Sequence, residues 1–598
     1  MKDDALLAFI PDHLASVNRT AAVLMYRDAY SAFWHTVSAG YMLAVVRRTA
    51  RALLSVGLGR GSRVIILSEN RPECFYTSFA AYRIGAVNVP LMSDMSAEGV
   101  AEALRATGAR LIMAGSQQAY DAALAACRLV RRHIRIVTFS RSVKPVRSDR
   151  TTVTFAAFTE PFRAAGLSIA PPTGSDEADI IFTSGTTGRP KGAVITHSMY
   201  EAAIRNNRRR LPDVRGWHVL EYLPLSHVFE RAWALFCITG GAVLALNRQP
   251  SHVQRSMREI RPEAMCCVPR FWEKYIEAVD RYADKAAADE RALMQDAIRT
   301  GETYNADYRY MQRPAPPELE TAYRRADATV LRRIRTTAGL ERAKLLPTAG
   351  AVVPEALVRR IRSYGLPILV GYGMTETTAT VSCDDFRRPC TPGTVGRVID
   401  GVQLTIAPDG EILLEGDTII KRYLDQEIGG PLHTGDAGRM SPDGELYIIG
   451  RIKDLLKTST GDYVAPEWIE ARIEAAGEVD RCIVVAEGRK FASALIFPSR
   501  TLLDAVAREE GIDPGDSDTL LRSPLLRRRI REAIDAAQKG VPAHSSVRRF
   551  MIAGGELTQE NGCLTPTLKP RRFAIEARYR DAIDTMYDNG KYEIYDNV

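Results

Sequence analysis

Residues Ile181 to His197 read IFTSGTTGRPKGAVITH. The stretch opens on the apolar end of ADIIFT, a run short and apolar enough for a strand buried on both faces. It continues through Thr183, Ser184, Gly185, Thr186, Thr187, Gly188, Arg189, Pro190, Lys191 and Gly192. Glycines let backbone N–H groups converge on an anion, hydroxyls add donors, and a lysine adds a point charge. That combination suits the phosphate tail of a nucleoside triphosphate. It is not a Walker A loop, which needs Gly-Lys followed by Ser or Thr; here Lys191 stands between Pro190 and Gly192.

On the N-terminal side the pattern alternates. SRVIILSEN, VNVPLM, ARLIMAGS and IRIVTFS read as strands, while PECFYTSFAAYRIGA, SAEGVAEALRATGA and YDAALAACRLVRR read as helices. Short apolar runs separated by helices predict an α/β fold with a doubly wound parallel sheet. Ligands of such sheets bind beyond the carboxyl ends of the strands, where the quoted loop lies. Downstream, residues from about 270 to 335 are charged, alanine-rich and helical in pattern, and read as a helical insertion. The sheet pattern resumes at AKLLPTAGA and PILVGYG. Short β-like stretches with turns at Asp409-Gly410 and Asp443-Gly444 then predict a β subdomain over about 390–450. This gives an N-terminal domain over 1–450 and a small, mobile α+β C-terminal domain over 451–598, joined through RIKD.

At 598 residues the chain exceeds what one core holds, and its composition, 46% apolar and 25% charged, is that of an ordinary globular protein. The N-terminus MKDDALLAFI carries acids where a secretory signal carries basic residues. The apolar run Trp233 to Leu246 is too short to cross a bilayer and is broken by Gly240-Gly241, which predicts a core helix, turn and strand. Nine cysteines without CxxC or Cys/His spacing argue against a disulfide framework or a zinc site. A cytoplasmic protein is the expectation. The net charge of +8 suits polyanionic small molecules, and the clusters Arg208–Arg210 and Arg527–Arg529 read as solvated helix faces without nucleic-acid motifs beside them. The first cluster also motivates peripheral contact with an acidic membrane surface. The sequence does not reveal the oligomeric state.

Four more motifs follow the loop in order: GYGMTETT (Gly371 to Thr378), HTGD (His433 to Asp436), GRIKD (Gly450 to Asp454) and TPTLKPRR (Thr565 to Arg572). Together the five closely resemble the motif set of the adenylate-forming enzymes: acyl-CoA synthetases, peptide-synthetase adenylation domains and luciferases. By that resemblance Thr183 to Gly188 and Lys191 hold phosphates, and Gly350, Ala351, Gly371, Tyr372, Gly373 and Thr375 line the nucleotide. Tyr372 offers adenine a ring face, and Asp436, with Arg451 nearby, takes the ribose hydroxyls. Glu376 and Thr186 would hold Mg²⁺. Lys453 takes the hinge position, and Lys569 the catalytic one, with Thr186 and Glu376 beside it in the catalytic set. An ionised carboxylate attacking phosphorus needs placement and charge neutralisation more than a general base.

LPLSHVFER (Leu223 to Arg231), CVPRFWEKY (Cys267 to Tyr275) and GDYVAPEWIE (Gly461 to Glu470) are similar to the long-chain fatty acyl-CoA synthetase branch, as is the helical insertion. In that branch His227 and Phe229 lie beside the acyl channel and Gly461 serves the CoA channel. The implied reaction consumes ATP, a fatty acid and CoA, and forms acyl-adenylate and then acyl-CoA. Read without its neighbours, a histidine such as His227 is more often a core histidine, and a lysine such as Lys569 more often a surface charge. The chain departs from the usual pattern at Pro431, at TAGA (Thr348 to Ala351) and at Pro570. Transfer of the acyl group to a carrier protein, or nucleotide binding without catalysis, are the competing readings.

Overall fold

The computed structural model describes residues 6–27, 33–146, 149, 151–164, 167, 169–183, 190–539, 541, 543, 545–555, 557–558, 560–564 and 570–587. The chain forms two compact units: Met1–Thr405 with Leu413–Leu432 and Met440–Leu446, and Ile406–Ile412 with His433–Arg439 and Tyr447–Val598.

The first unit is built on a seven-stranded sheet. Its spatial order is Val153–Thr154, Arg135–Thr138, Leu111–Ala114, Arg63–Leu67, Val87–Leu91, Glu177–Thr183 and Lys191–Thr196. Neighbours are parallel except the last pair, where Thr183 faces Lys191 across an antiparallel ladder. Thr183 and Lys191, which bracket the glycine-rich loop, are therefore paired strand residues at the sheet's edge. Helix Pro72–Arg83 is buried almost throughout, which explains its run of aromatic and small residues and the absence of an amphipathic stripe.

A second sheet orders His218–Glu221, Val243–Leu246, Ala22–Tyr26 and His35–Ser38. The stretch after Leu345 does not rejoin the large sheet. It forms a third, in which Leu346–Thr348 and Ile368–Tyr372 are parallel and Ser382–Cys383 and Arg397–Val398 continue antiparallel. The helices of the insertion, Pro269–Lys285, Ala288–Glu302, Pro317–Ala326 and Arg332–Ala338, bury their apolar stripe against this third sheet. Trp272 and Leu331 pack in one core with Ile361, Tyr364 and Ile368, and Trp272 Nε1 donates to Thr348 Oγ1 at 2.9 Å. The insertion is thus part of the scaffold that holds Thr348 and its loop.

Two buried polar clusters brace this unit. In the first, Asp179 and Arg231 form an ion pair shielded from solvent. Tyr82 Oη donates to Asp179 at 3.0 Å, Tyr200 Oη at 2.6 Å and Asn88 Nδ2 at 3.2 Å, while Arg231 also donates to Ser78 Oγ at 3.1 Å. In the second, Glu221 at the end of its strand meets Glu230 in the first turn of helix Val228–Thr239, both fully buried. Their surroundings, Tyr222, Cys237, Cys266 and Cys267, are buried and neutral. Burial drives the Glu221 carboxyl from 4.5 up to about 8, and burial together with Glu221 lifts Glu230 well above its ordinary value.

The folded state therefore holds protons that the unfolded chain has released, and stability falls as pH climbs from 4.5 through about 8. Glu230→Gln should flatten that fall. Its thermal midpoint is expected to exceed that of the parent at about pH 8.5 and to match it near about pH 5. Parallel curves for the two proteins across this range would contradict protonation of the buried carboxyls in the folded state.

The second unit carries a three-stranded sheet, in which Val479–Val485 runs antiparallel to Ala492–Pro498 and Val547–Ile552 parallel to it. Helices Pro466–Glu474, Arg500–Glu510 and Pro524–Ala537 supply apolar residues such as Ile469, Val506 and Ile530 to its main core. All nine cysteines are buried and free. Among the described residues, no helix is long and apolar enough to cross a membrane.

The basic cluster at Arg208–Arg210 is less free than its sequence suggests. Arg208 donates to the Thr239 carbonyl at 2.9 Å and Arg209 pairs with Asp400 at 3.4 Å. Arg210 is largely enclosed and donates to the carbonyls of Cys383, Arg397 and Val398 at 3.2, 3.0 and 3.0 Å.

Candidate adenylate site

Lys191 begins the edge strand that pairs with Thr183, so the strand ladder fixes both ends of the phosphate-type loop. Ser184, Gly185, Thr186, Thr187 and Gly188 lie outside the described residues. The Lys191 ammonium sits 5.2 Å from the centre of the Tyr423 ring, and Tyr423 Oη donates to Glu376 Oε1 at 2.9 Å. Burial and the Glu376 charge raise the Tyr423 phenol above its ordinary pKa, so it is a donor throughout the physiological range. One residue that carries no sequence motif thus joins the lysine of the first motif to the glutamate of the second.

Glu376 sits in a short 3₁₀ turn, Thr375–Thr377, beyond strand Ile368–Tyr372. Its backbone carbonyl accepts from Ile420 N at 2.9 Å, and the Thr378 hydroxyl donates to the Thr418 carbonyl at 2.8 Å. Thr378 and Ala379 both adopt left-handed backbone, with φ of 50° and 86°. Strain of this kind in residues with side chains persists only where the surroundings enforce it. The turn also comes so close to the strand end that a Cβ on Gly373 would overlap the Ala379 carbonyl, which accounts for glycine there. Gly350 has φ of 87°, and a Cβ there would lie 3.8 Å from Val268 Cγ1, while Ala351 is exposed.

An apolar cavity reaches this motif. It is small, about 60 Å³, and its lining includes Phe229, Trp233, Phe236, Ala349, Gly371 and Tyr372. His227, at the N-terminus of the same helix, is accessible rather than a core residue, and partial desolvation lowers its pKa.

In the second unit, Arg451 Nε lies 3.0 Å from Asp436 Oδ1, and Arg451 also donates to the Thr434 carbonyl at 3.1 Å. Asp436 is buried while half of Arg451 is exposed, so the guanidinium orients the carboxylate from its solvent side. Lys453 is exposed in the 3₁₀ turn Ile452–Asp454. Gly461, at φ 92°, donates its N–H to the Thr458 carbonyl at 3.0 Å in an exposed turn.

Lys569 lies outside the described residues, but its flanks do not. Leu564 bridges Pro570, and Arg571 N donates to the Cys563 carbonyl at 2.8 Å. Arg572 donates to both Glu470 oxygens at 2.8 and 3.0 Å and to the Val484 carbonyl at 2.6 Å. Glu470 closes GDYVAPEWIE and Arg572 closes TPTLKPRR, so this ion pair ties the two C-terminal motifs together. Neither Tyr423 nor the Glu470–Arg572 pair was legible beforehand; an acid and a base each ending a motif was the one available signal for the second.

Residues 16–424 match the family described as AMP-binding enzyme, and residues 453–591 match the AMP-binding enzyme C-terminal domain. The chain belongs to the AMP-binding enzymes. Among curated members of this family it is 29% identical to the long-chain-fatty-acid–CoA ligase FadD15 of Mycobacterium bovis, over 94% of each chain. It is 26% identical to the long-chain-fatty-acid–CoA ligase ACSBG1 of Bos taurus, over 93% of this chain and 82% of that one. Among solved AMP-binding enzymes, the anthranilate CoA ligase AuaEII in complex with anthranoyl-AMP superposes with a TM-score of 0.67 at 18% identity, covering 97% of this chain and 98% of that one. The Mycobacterium tuberculosis fatty acyl CoA synthetase gives a TM-score of 0.59 at 18% identity, over 96% and 98%. These structures share the α/β fold, with its large N-terminal and smaller C-terminal parts.

Proposed function

We propose that this AMP-binding enzyme is a long-chain fatty acid–CoA ligase. The fatty acid carboxylate attacks the α-phosphorus of ATP, forming acyl-adenylate and releasing pyrophosphate. The thiol of CoA then attacks the acyl carbon, loses its proton and displaces AMP. The observation that carries this reading is the 29% identity to a long-chain-fatty-acid–CoA ligase over 94% of each chain, with Lys191, Tyr423 and Glu376 of the first two motifs brought together in the fold.

In this scheme Thr183 to Gly188 and Lys191 receive the triphosphate, with Gly350, Ala351 and Thr375 beside the nucleotide. Tyr372 stacks on adenine, and Asp436, steadied by Arg451, binds ribose. Lys569 neutralises charge on the α-phosphate in the first half-reaction. Lys453 is the hinge between half-reactions, and Gly461 belongs to the pantetheine path. His227 and Phe229 stand at the acyl channel.

A hard oxygen ligand fixed by Tyr423 suits Mg²⁺. Among the described residues no group of three His, Cys, Asp or Glu could hold a metal ion. Glu376 and Thr186 would hold Mg²⁺, and when bound it supplies neutralisation of the triphosphate charge.

The test is mass spectrometry of the products formed from ATP, Mg²⁺, CoA and an equimolar series of short- to very-long-chain carboxylic acids. Long-chain acyl-CoA with AMP and pyrophosphate is the expected outcome. Acyl-AMP without thioester would replace CoA by a carrier-protein acceptor, and absence of both would overturn the assignment.

A further inference from the structure

Glu411 belongs to a stretch that reads only as a strand, yet it contacts the HTGD turn at two points. It opens strand Glu411–Gly416, which lies beside strand Leu432–Met440 in one sheet. Its Oε1 accepts from Gly435 N at 2.8 Å, and its Oε2 accepts from His433 Nδ1 at 2.7 Å. The Glu411 side chain is 14% exposed against 69% for His433, so little water competes for the carboxylate.

The peptide between Thr434 and Gly435 is held from both edges. Its N–H, that of Gly435, donates to Glu411, and its carbonyl, that of Thr434, accepts from Arg451 Nη1 at 3.1 Å. In a trans peptide these two groups point in opposite directions, so Glu411 and Arg451 grip one plane from opposite sides. Gly435 takes left-handed backbone, with φ of 69°, and a glycine can leave that conformation at little steric cost. Deprived of one grip, such a peptide can turn over. Asp436 follows directly. Its N–H donates to Thr434 Oγ1 at 3.0 Å, which in turn donates to the Ile412 carbonyl at 2.8 Å. The orientation of the Thr434–Gly435 peptide therefore sets the direction in which Asp436 leaves the turn.

We propose that Glu411 is a positioning residue for the ribose of the nucleotide: it fixes the Thr434–Gly435 peptide and so aims Asp436 at the two ribose hydroxyls. The inference rests on the ribose role given to Asp436 above. Glu411 itself meets no substrate. Removing its carboxylate leaves the Asp436 carboxylate and its Arg451 partner chemically intact, but it releases the turn that aims them. The cost then falls on the hydrogen bonds to the ribose and spares the rest of the nucleotide.

The experiment measures Kd by calorimetric titration of the full chain with ATP and with 2′,3′-dideoxy-ATP, both with Mg²⁺, in the parent, Glu411→Ala, Glu411→Gln and Asp436→Ala. Such a titration needs no acyl substrate, so its result does not depend on which acid is activated. The parent should bind ATP on the order of tenfold or more tighter than the dideoxynucleotide, the factor that hydrogen bonds to a charged group supply. Glu411→Ala should lose most of that preference by weakening ATP while changing dideoxy-ATP little, as should Asp436→Ala. Glu411→Gln should keep most of it, because its amide oxygen still accepts from Gly435.

If Glu411→Ala does not fold, Glu411→Met, which fills the same space without an acceptor, takes its place with the same expected loss. A folded variant that keeps the parent's preference for ATP overturns the assignment. An equal loss of affinity for both nucleotides also overturns it, since Glu411 would then only support the strand. A parent that binds both nucleotides equally, or an Asp436→Ala variant that still prefers ATP, overturns instead the ribose role of Asp436, and this inference with it.

Discussion

Lys569→Ala is expected to lower acyl-adenylate formation by at least about 10²–10³-fold while ATP binding survives, the usual consequence of removing one charge-stabilising donor from a preorganised site. The nucleophile is already an anion, so no proton needs removing. The difficulty of the step is that a carboxylate approaches a polyanion and charge accumulates on the α-phosphate oxygens as the bond forms. A cation at that place stabilises the transition state more than the ground state, so its loss falls on the rate and leaves affinity largely intact.

The residues that flank Lys569 are held in place: Leu564 bridges Pro570, and Arg572 is anchored on Glu470 and the Val484 carbonyl. The measurements are pyrophosphate exchange and direct detection of acyl-AMP, beside a nucleotide-binding titration. Thioester formation from preformed acyl-AMP should be far less affected, since the charge is needed in the first half-reaction. Arg572→Ala should produce a smaller loss of adenylation, restored in part by Arg572→Lys, because it acts on the anchor rather than on phosphate. Unchanged acyl-AMP formation in Lys569→Ala would remove the residue from its assigned role.

Much of this architecture could be read in advance, for a definite reason. Strands buried on both faces are continuous apolar runs, so RVIIL, VNVPL and LIMA announced the large sheet, and the glycine-rich loop announced its ligand-binding end. Local pattern says less about which sheet a short strand joins. Leu346–Thr348 is only three residues long, and its membership in a separate sheet is decided by the insertion helices packed against it.

The links between motifs were invisible on other grounds. Tyr423 lies 47 residues from Glu376 in the chain, and Glu470 lies 102 residues from Arg572. Each pairing depends on tertiary placement that no periodicity encodes.

Asp179 illustrates the point most sharply, and it carries the second large effect. In ADIIFT it interrupts an apolar strand, a position where a lone carboxylate is costly to bury. The fold resolves this by converging Arg231, Tyr82, Tyr200 and Asn88 on it from three helices and a neighbouring strand. Burial alone would weaken the Arg231 charge, but Asp179 with Tyr82 and Tyr200 raises its pKa well above the ordinary value.

Arg231→Met keeps side-chain volume but strips Asp179 of its counter-charge, and it should cost about 3–5 kcal/mol of stability, the range for breaking one side of a buried pair. Arg231→Met with Asp179→Asn should recover most of that loss, because the remaining amide can use the tyrosine hydroxyls without a buried charge. Denaturant midpoints of the parent, both single variants and the double variant complete the cycle. A single Arg231→Met variant within about 1 kcal/mol of the parent would show the pair to be incidental. A large loss restored in the double variant would show that the arginine closing LPLSHVFER serves to neutralise the strand's aspartate. It would also mean that the helix bearing Phe229 and Phe236 is held on the sheet by charge as well as by packing.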